Sequence, residues 1–130
     1  MDRARYEEYL RRFNARDYEG FFDFYGDHPR MDFFGVSLRS LDEVKRFYGF
    51  LHRYASERIT LTRFAVSEEL LAAEGIVRIE GLEDLTAETL AGAGYPQLMP
   101  IAKGQVIEME QFLHYWLRDG KFQAVRCALA

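Results

Sequence analysis

The apolar residues of this chain change their period once, and that change limits it to folds in which helices come first and strands follow. Up to about residue 55 they recur at spacings of 3, 4 and 7. Tyr6, Tyr9, Leu10 and Phe13 form one helical stripe, Tyr18, Phe21, Phe22 and Tyr25 a second, and Val44, Phe47, Tyr48, Leu51 and Ala55 a third. Asp17 is placed to cap the second helix, which Gly26, Asp27 and Pro29 end, and Ser40-Leu-Asp-Glu43 is a capping box opening the third. Between them, residues 31–34 read as a short strand, followed by an irregular stretch at 35–39. Beyond residue 57 the pattern is that of strands. Residues 58–66 and 71–81 predict an antiparallel hairpin turning at Ser67-Glu68-Glu69, and residues 105–117 and 121–129 a second, turning at Arg118-Asp119-Gly120. The Gly- and Pro-containing stretch 82–104 between the hairpins, with one helical turn at 86–91, reads as a lid over one end of the fold.

A three-residue loop with Gly120 left-handed would pair Leu117 with Lys121. One face of the last hairpin then collects Met109, Gln111, Leu113, Tyr115, Val125, Cys127 and Leu129. The other carries Glu108, Glu110, Phe112, His114, Trp116, Phe122 and Arg126. A two-residue turn would change these partners. Phe112, Trp116 and Phe122 make the second face too apolar to leave in water, so a homodimer through it is expected.

Composition narrows the function classes. The 130 residues suffice for one domain with its own core, and 15% are aromatic. A formal charge of -4 repels a phosphate backbone, so nucleic acid is not an expected partner. The start lacks a signal-peptide core and no run of residues is apolar enough to cross a membrane, which predicts a cytoplasmic protein. Cys127 has no partner for a disulfide. His28, His52 and His114 are scattered without close acidic or cysteine companions, so no metal is expected, and Gly92-Ala93-Gly94-Tyr95 lacks the features of a phosphate loop, so no cofactor is expected either.

The order of elements, together with Phe13-Asn14-Ala15-Arg16-Asp17-Tyr18-Glu19-Gly20, Asp42-Glu43-Val44-Lys45-Arg46-Phe47-Tyr48 and Asp119-Gly120-Lys121, resembles the nuclear-transport-factor-2-like superfamily across nearly the whole chain. Within it stand SnoaL-like polyketide cyclases and ketosteroid isomerases. The resemblance implies an α+β cone, in which a strongly curved, mainly antiparallel sheet wraps the N-terminal helices and encloses a pocket, as a single domain over residues 1–130. It implies a small hydrophobic ligand and either cofactor-independent proton-transfer chemistry (isomerisation, cyclisation or dehydration of a carbonyl-bearing or polycyclic molecule) or a non-catalytic binding domain.

Tyr9, Tyr25 and Tyr48 occupy the positions of a tyrosine network found in one type of ketosteroid isomerase. Three joined phenols would polarise one hydroxyl toward a developing oxyanion, and the alternative is three tyrosines filling an aromatic core. The isomerase base falls at Phe33, with Asp32 beside it, and the isomerase acid falls at Leu113. Steroid isomerase activity is therefore disfavoured. Asp32 could serve as base if a bulge turned it inward; otherwise it lies on the exposed side. His28, near the strand entrance, could move a proton or be a surface turn residue. His52 could orient a substrate or simply finish the third helix. Phe13, Phe22, Phe33, Phe47, Leu51, Tyr95, Met99, Gln111, Leu113 and Tyr115 are the expected pocket lining.

Overall fold

In the computed structural model, which describes residues 1–130, the helices are α1 (Arg3–Asn14), α2 (Tyr18–Phe22), α3 (Leu41–Tyr54) and α4 (Ala87–Ala93). The strands are β1 (Tyr25–Phe33), β2 (Val36–Leu38), β3 (Ala55–Val66), β4 (Leu70–Gly81), β5 (Val106–Arg118) and β6 (Lys121–Leu129). They form one six-stranded sheet in the order β2-β1-β6-β5-β4-β3, in which only β1 and β6 run parallel. Burial alternates along β4 and along the second half of β5, so one face of the sheet meets the helices and the other meets solvent. No helix is long and apolar enough to cross a membrane.

The first and third helix stripes are where the spacing puts them, whereas of the second only Phe21 is buried on a helix. Tyr6, Tyr9, Leu10 and Phe13 are buried on α1, and Val44, Phe47, Tyr48 and Leu51 on α3. The Ser40 hydroxyl accepts from the Glu43 amide at 3.1 Å, while the Glu43 carboxylate reaches back to the Arg39 amide. The N-terminal strands depart from the sequence reading. The second helix stops at Phe22, and the first strand begins at Tyr25 and carries Pro29 through a shift in its pairing with β6. A proline has no ladder donor, and an irregularity of this kind accommodates it. Phe34 and Gly35 both adopt positive φ, 46° and 83°, which turns the chain within two residues and creates β2. Phenylalanine is a poor signal for such a turn, which hid this strand.

The last hairpin also differs. Arg118 faces Lys121 across a two-residue turn, with Asp119 at φ 51° and Gly120 at φ 73°. Trp116 is opposite Ala124 and Leu117 opposite Phe122, so the strand gains one residue here. That extra residue turns Phe122 inward, fully buried, against Tyr115 at 4.5 Å and Tyr9 at 4.8 Å between ring centres. Phe122 is therefore not on the outer face. Phe112 and Trp116 are, each about two-fifths exposed.

Candidate active site

Between α1, α3 and the sheet lies a cavity of about 390 Å³ whose walls are almost wholly apolar. Phe13, Phe33, Phe47, Leu51, Met99, Gln111, Leu113 and Tyr115 line it. Phe22 instead lines an open polar groove of about 1020 Å³ on the other side of α2. Tyr95 stands behind the wall, with its ring on Phe47 at 5.1 Å. Much of stretch 82–104 is fixed rather than free: α4 is capped by Thr86 and by left-handed Gly94, Leu85 and Ile101 form a bridge, and Arg46 holds the Ala93 carbonyl. Only Gln97, Leu98 and the three-quarters exposed Met99 remain at the cavity mouth as a short flap.

The tyrosines form pairs. The Tyr9 and Tyr25 hydroxyls are 2.8 Å apart, those of Tyr6 and Tyr115 are 2.9 Å apart, and Tyr48 donates to the Met31 sulfur at 3.7 Å. Tyr48 is thus not joined to Tyr9 and Tyr25. Burial raises the pKa of Tyr9, Tyr25 and Tyr48, and the neighbouring phenols add to the rise at Tyr9 and Tyr48. Burial favours the protonated form of these hydroxyls, so what they offer is a neutral donor. A pair of phenols has two O–H hydrogens and spends one on the mutual bond, which leaves one to offer a ligand.

Neither expected proton carrier reaches the cavity. Asp32 accepts from the Ser37 hydroxyl, and its Cα partner on β6 is the exposed Arg126. His28 is exposed beside the polar groove. The one carboxylate on the cavity wall is Glu57, near the start of β3. Its Oε1 lies 2.9 Å from His52 Nε2, and His52 Nδ1 lies 2.8 Å from the Tyr18 hydroxyl. The imidazole is almost completely buried. An ionised carboxylate can only accept, so Nε2 carries the ring hydrogen and Nδ1 accepts from Tyr18.

The α1-to-α2 junction holds this group in place. Asn14 donates to the Ile59 carbonyl at 2.9 Å and accepts from its amide at 2.8 Å. Arg16, at φ 57°, donates to the carbonyls of His52 and Ala55 at 3.1 and 3.0 Å. Asn14, Arg16 and Tyr18 therefore grip the segment from His52 to Ile59 through five hydrogen bonds. Gln111 is a second polar group here: it is 5% exposed and lines the cavity.

The model of the SnoaL-like domain family matches residues 6–125. The chain belongs to that family. Among solved structures, the SnoaL-like domain is similar to a polyketide cyclase-like protein of Pseudomonas putida KT2440, with TM-score 0.75 and 20% identity over 95% of this chain and 87% of that one. A polyketide cyclase-like protein of Silicibacter sp. TM1040 gives 0.76 and 20% over 95% and 85%. An LEH-like epoxide hydrolase of M. tuberculosis gives 0.71 and 10% over 95% and 78%. At such identities the likeness is one of fold. No curated protein matches the sequence.

Sequence reading missed Glu57 and left His52 as either a substrate-orienting residue or the end of a helix. The SnoaL-like domain does carry a signal for Glu57. Extending the strand read at 58–66 back by one residue puts Glu57 on the same face as Ile59 and Leu61, which turn toward the core. Once Glu57 faces inward, His52 five residues earlier is the group that can hold it.

Proposed function

We propose that this SnoaL-like domain is a cofactor-independent proton-transfer enzyme of the isomerase, cyclase or dehydratase kind, acting on a neutral hydrophobic molecule that carries a carbonyl group. The observation that carries this reading is Glu57, a braced carboxylate in the wall of an apolar cavity. Its free oxygen can take a proton from carbon next to a carbonyl, and the surrounding rings keep water from competing. The Gln111 amide and the spare O–H of the Tyr9–Tyr25 pair are available to donate to the carbonyl oxygen as negative charge develops on it. No Lys or Arg lines the cavity, which argues against an anionic ligand. Migration of the double bond of 3-cyclohexen-1-one into conjugation, followed by ultraviolet absorbance, tests the chemistry. The wild type is expected to accelerate it over buffer, and Glu57→Gln to lose about 100- to 10,000-fold of that acceleration. No acceleration by the wild type, or equal rates in Glu57→Gln, would return the cavity to a non-catalytic binding role.

The reading extends to assembly as a homodimer through the outer face, with Phe112 and Trp116 at its centre and the Arg126 guanidinium 5.7 Å over the Trp116 ring. Trp116→Glu is expected to shift the sedimenting species from the mass of two chains to that of one. A wild type that already sediments as one chain at micromolar concentration removes the dimer.

A further inference from the structure

The cavity keeps its polar side chains covered and shows apolar ones where it opens. Glu57, Gln111, Tyr9 and Tyr25 are buried or nearly so, whereas the exposed residues of the wall are Phe34, Gln97, Met99 and Leu129. Three of these four are apolar, with 39% of Phe34, 58% of Leu129 and 74% of Met99 open to solvent. We propose that the mouth is a subsite for an aliphatic tail, so that the ligand is a carbonyl-bearing ring whose unbranched chain leaves the cavity across Phe34, Met99 and Leu129. The proposal rests on the reading of the carbonyl end as the one held inside, beside Glu57 and Gln111.

A single exposed apolar residue needs no explanation. These three come from separate parts of the chain, the turn between β1 and β2, the flap before β5 and the end of β6, and meet at one opening. Apolar surface gathered in this way marks a place where something apolar binds. The backbone points the same way. Phe34 has φ 46° in a tight turn, a conformation that suits Asn or Gly and not a bulky side chain, so the ring stands at the mouth against the preference of its own backbone. Gln97, the polar member of the four, lays its Cβ and Cγ against Gly35 and so joins the flap to that turn. Met99 has a long unbranched side chain that adapts to a chain of varying path. The occupant follows from continuity, because the same three residues are cavity wall on one side and exposed rim on the other. What covers the rim is the part of a ligand that the cavity does not hold. At about 390 Å³ the cavity lies near the small end of the range for small-molecule pockets, about 300–1,000 Å³, so a ring system fills much of it and a long chain emerges. Glu57 repels a carboxylate head, which makes the ligand an alkylated ketone and not a fatty acid.

The test uses 2-tetralone carrying an n-alkyl chain at C6, on the far side of the rings from the carbonyl, with dissociation constants measured by equilibrium dialysis. A methylene taken wholly out of water tightens binding about fourfold, and one laid on an open rim about twofold. In the wild type the octyl compound is therefore expected to bind at least about 16-fold more tightly than the butyl compound. In the double variant Met99→Ser, Leu129→Ser, at two exposed positions, that ratio is expected to fall to about fourfold or less. Comparing two ligands within one protein cancels any change that the variant makes to the cavity itself. A wild type that binds both compounds equally, or neither, overturns the tail subsite. So does a double variant that keeps the wild-type ratio. Should that variant at the same time sediment as one chain where the wild type sediments as two, the rim belongs to a second copy of the protein. The ratios need no turnover. A full chain-length effect in a wild type that fails to move the double bond of 3-cyclohexen-1-one counts against Glu57 as the base and leaves the subsite standing, whereas loss of the effect with the migration intact removes the subsite alone.

Discussion

Raising the pH from 10 toward 12 should unfold the protein in a single cooperative step, with the circular dichroism lost as the phenolate absorbance rises. Burial raises the pKa of Tyr6, Tyr9, Tyr25, Tyr48 and Tyr115 above the usual phenol value of 10. Burial also pushes the Cys127 thiol up to about 12. Below about pH 8 these groups are essentially protonated in both states, and their contribution to stability is fully present. Above pH 10 the unfolded chain releases phenolic protons that the folded chain keeps, so stability falls as pH rises toward the folded pKa values. Each such group contributes about 1.4 kcal/mol of lost stability per pH unit. Five tyrosines acting together approach about 7 kcal/mol per unit, comparable with the whole stability of an ordinary domain. Tyrosines that titrated near pH 10 with the circular dichroism intact would contradict their burial.

Phe122→Ala should lower stability by about 3–5 kcal/mol and the melting temperature by roughly 10–20 °C. The ring is fully buried and stands edge-on to Tyr9 and Tyr25 and tilted on Tyr115, so its loss leaves a void lined by rings that are themselves held by hydroxyl pairs. A thermal melt of the variant decides the matter. Were Phe122 on the outer face, the change would stay within about 0.5 kcal/mol.

That contrast locates the limit of what the sequence made legible. Helices α1 and α3, the two hairpins and the inward faces of α1, α3, β4 and most of β5 follow from periodicity alone, because each is a long run in which many side chains vote for the same face. Phe122 does not, because a single extra residue after a two-residue turn reverses the alternation, and Asp119-Gly120 suits loops of either length. The site divides in the same way. Its apolar wall was legible as the overlap of aromatic stripes. Its carboxylate was not, since Glu57 sits where α3 passes into β3 with no turn between them, and a junction without Gly, Pro or a polar break leaves the start of the strand unmarked. Asn14 and Arg16 were visible as a junction motif, but their bonds reach about 40 residues ahead, to the backbone of His52, Ala55 and Ile59. Local pattern carries no record of such a contact.

The position of β6 sets the order in which the molecule can assemble on the ribosome. This strand is the last of the six to be synthesised, yet it lies between β1 and β5 and joins the β2-β1 pair to the β5-β4-β3 block. Until it emerges, the nascent chain can form its helices and the β3–β4 hairpin, but Tyr9, Tyr25 and Tyr115 lack the Phe122 ring that closes their cluster. The aromatic interior therefore stays open to solvent until β6 has been made, and closes in a step that joins distant parts of the chain. Chaperone capture would be directed at that interval, and its target would be the ring-rich segment from Phe13 to Tyr25 waiting for its final strand.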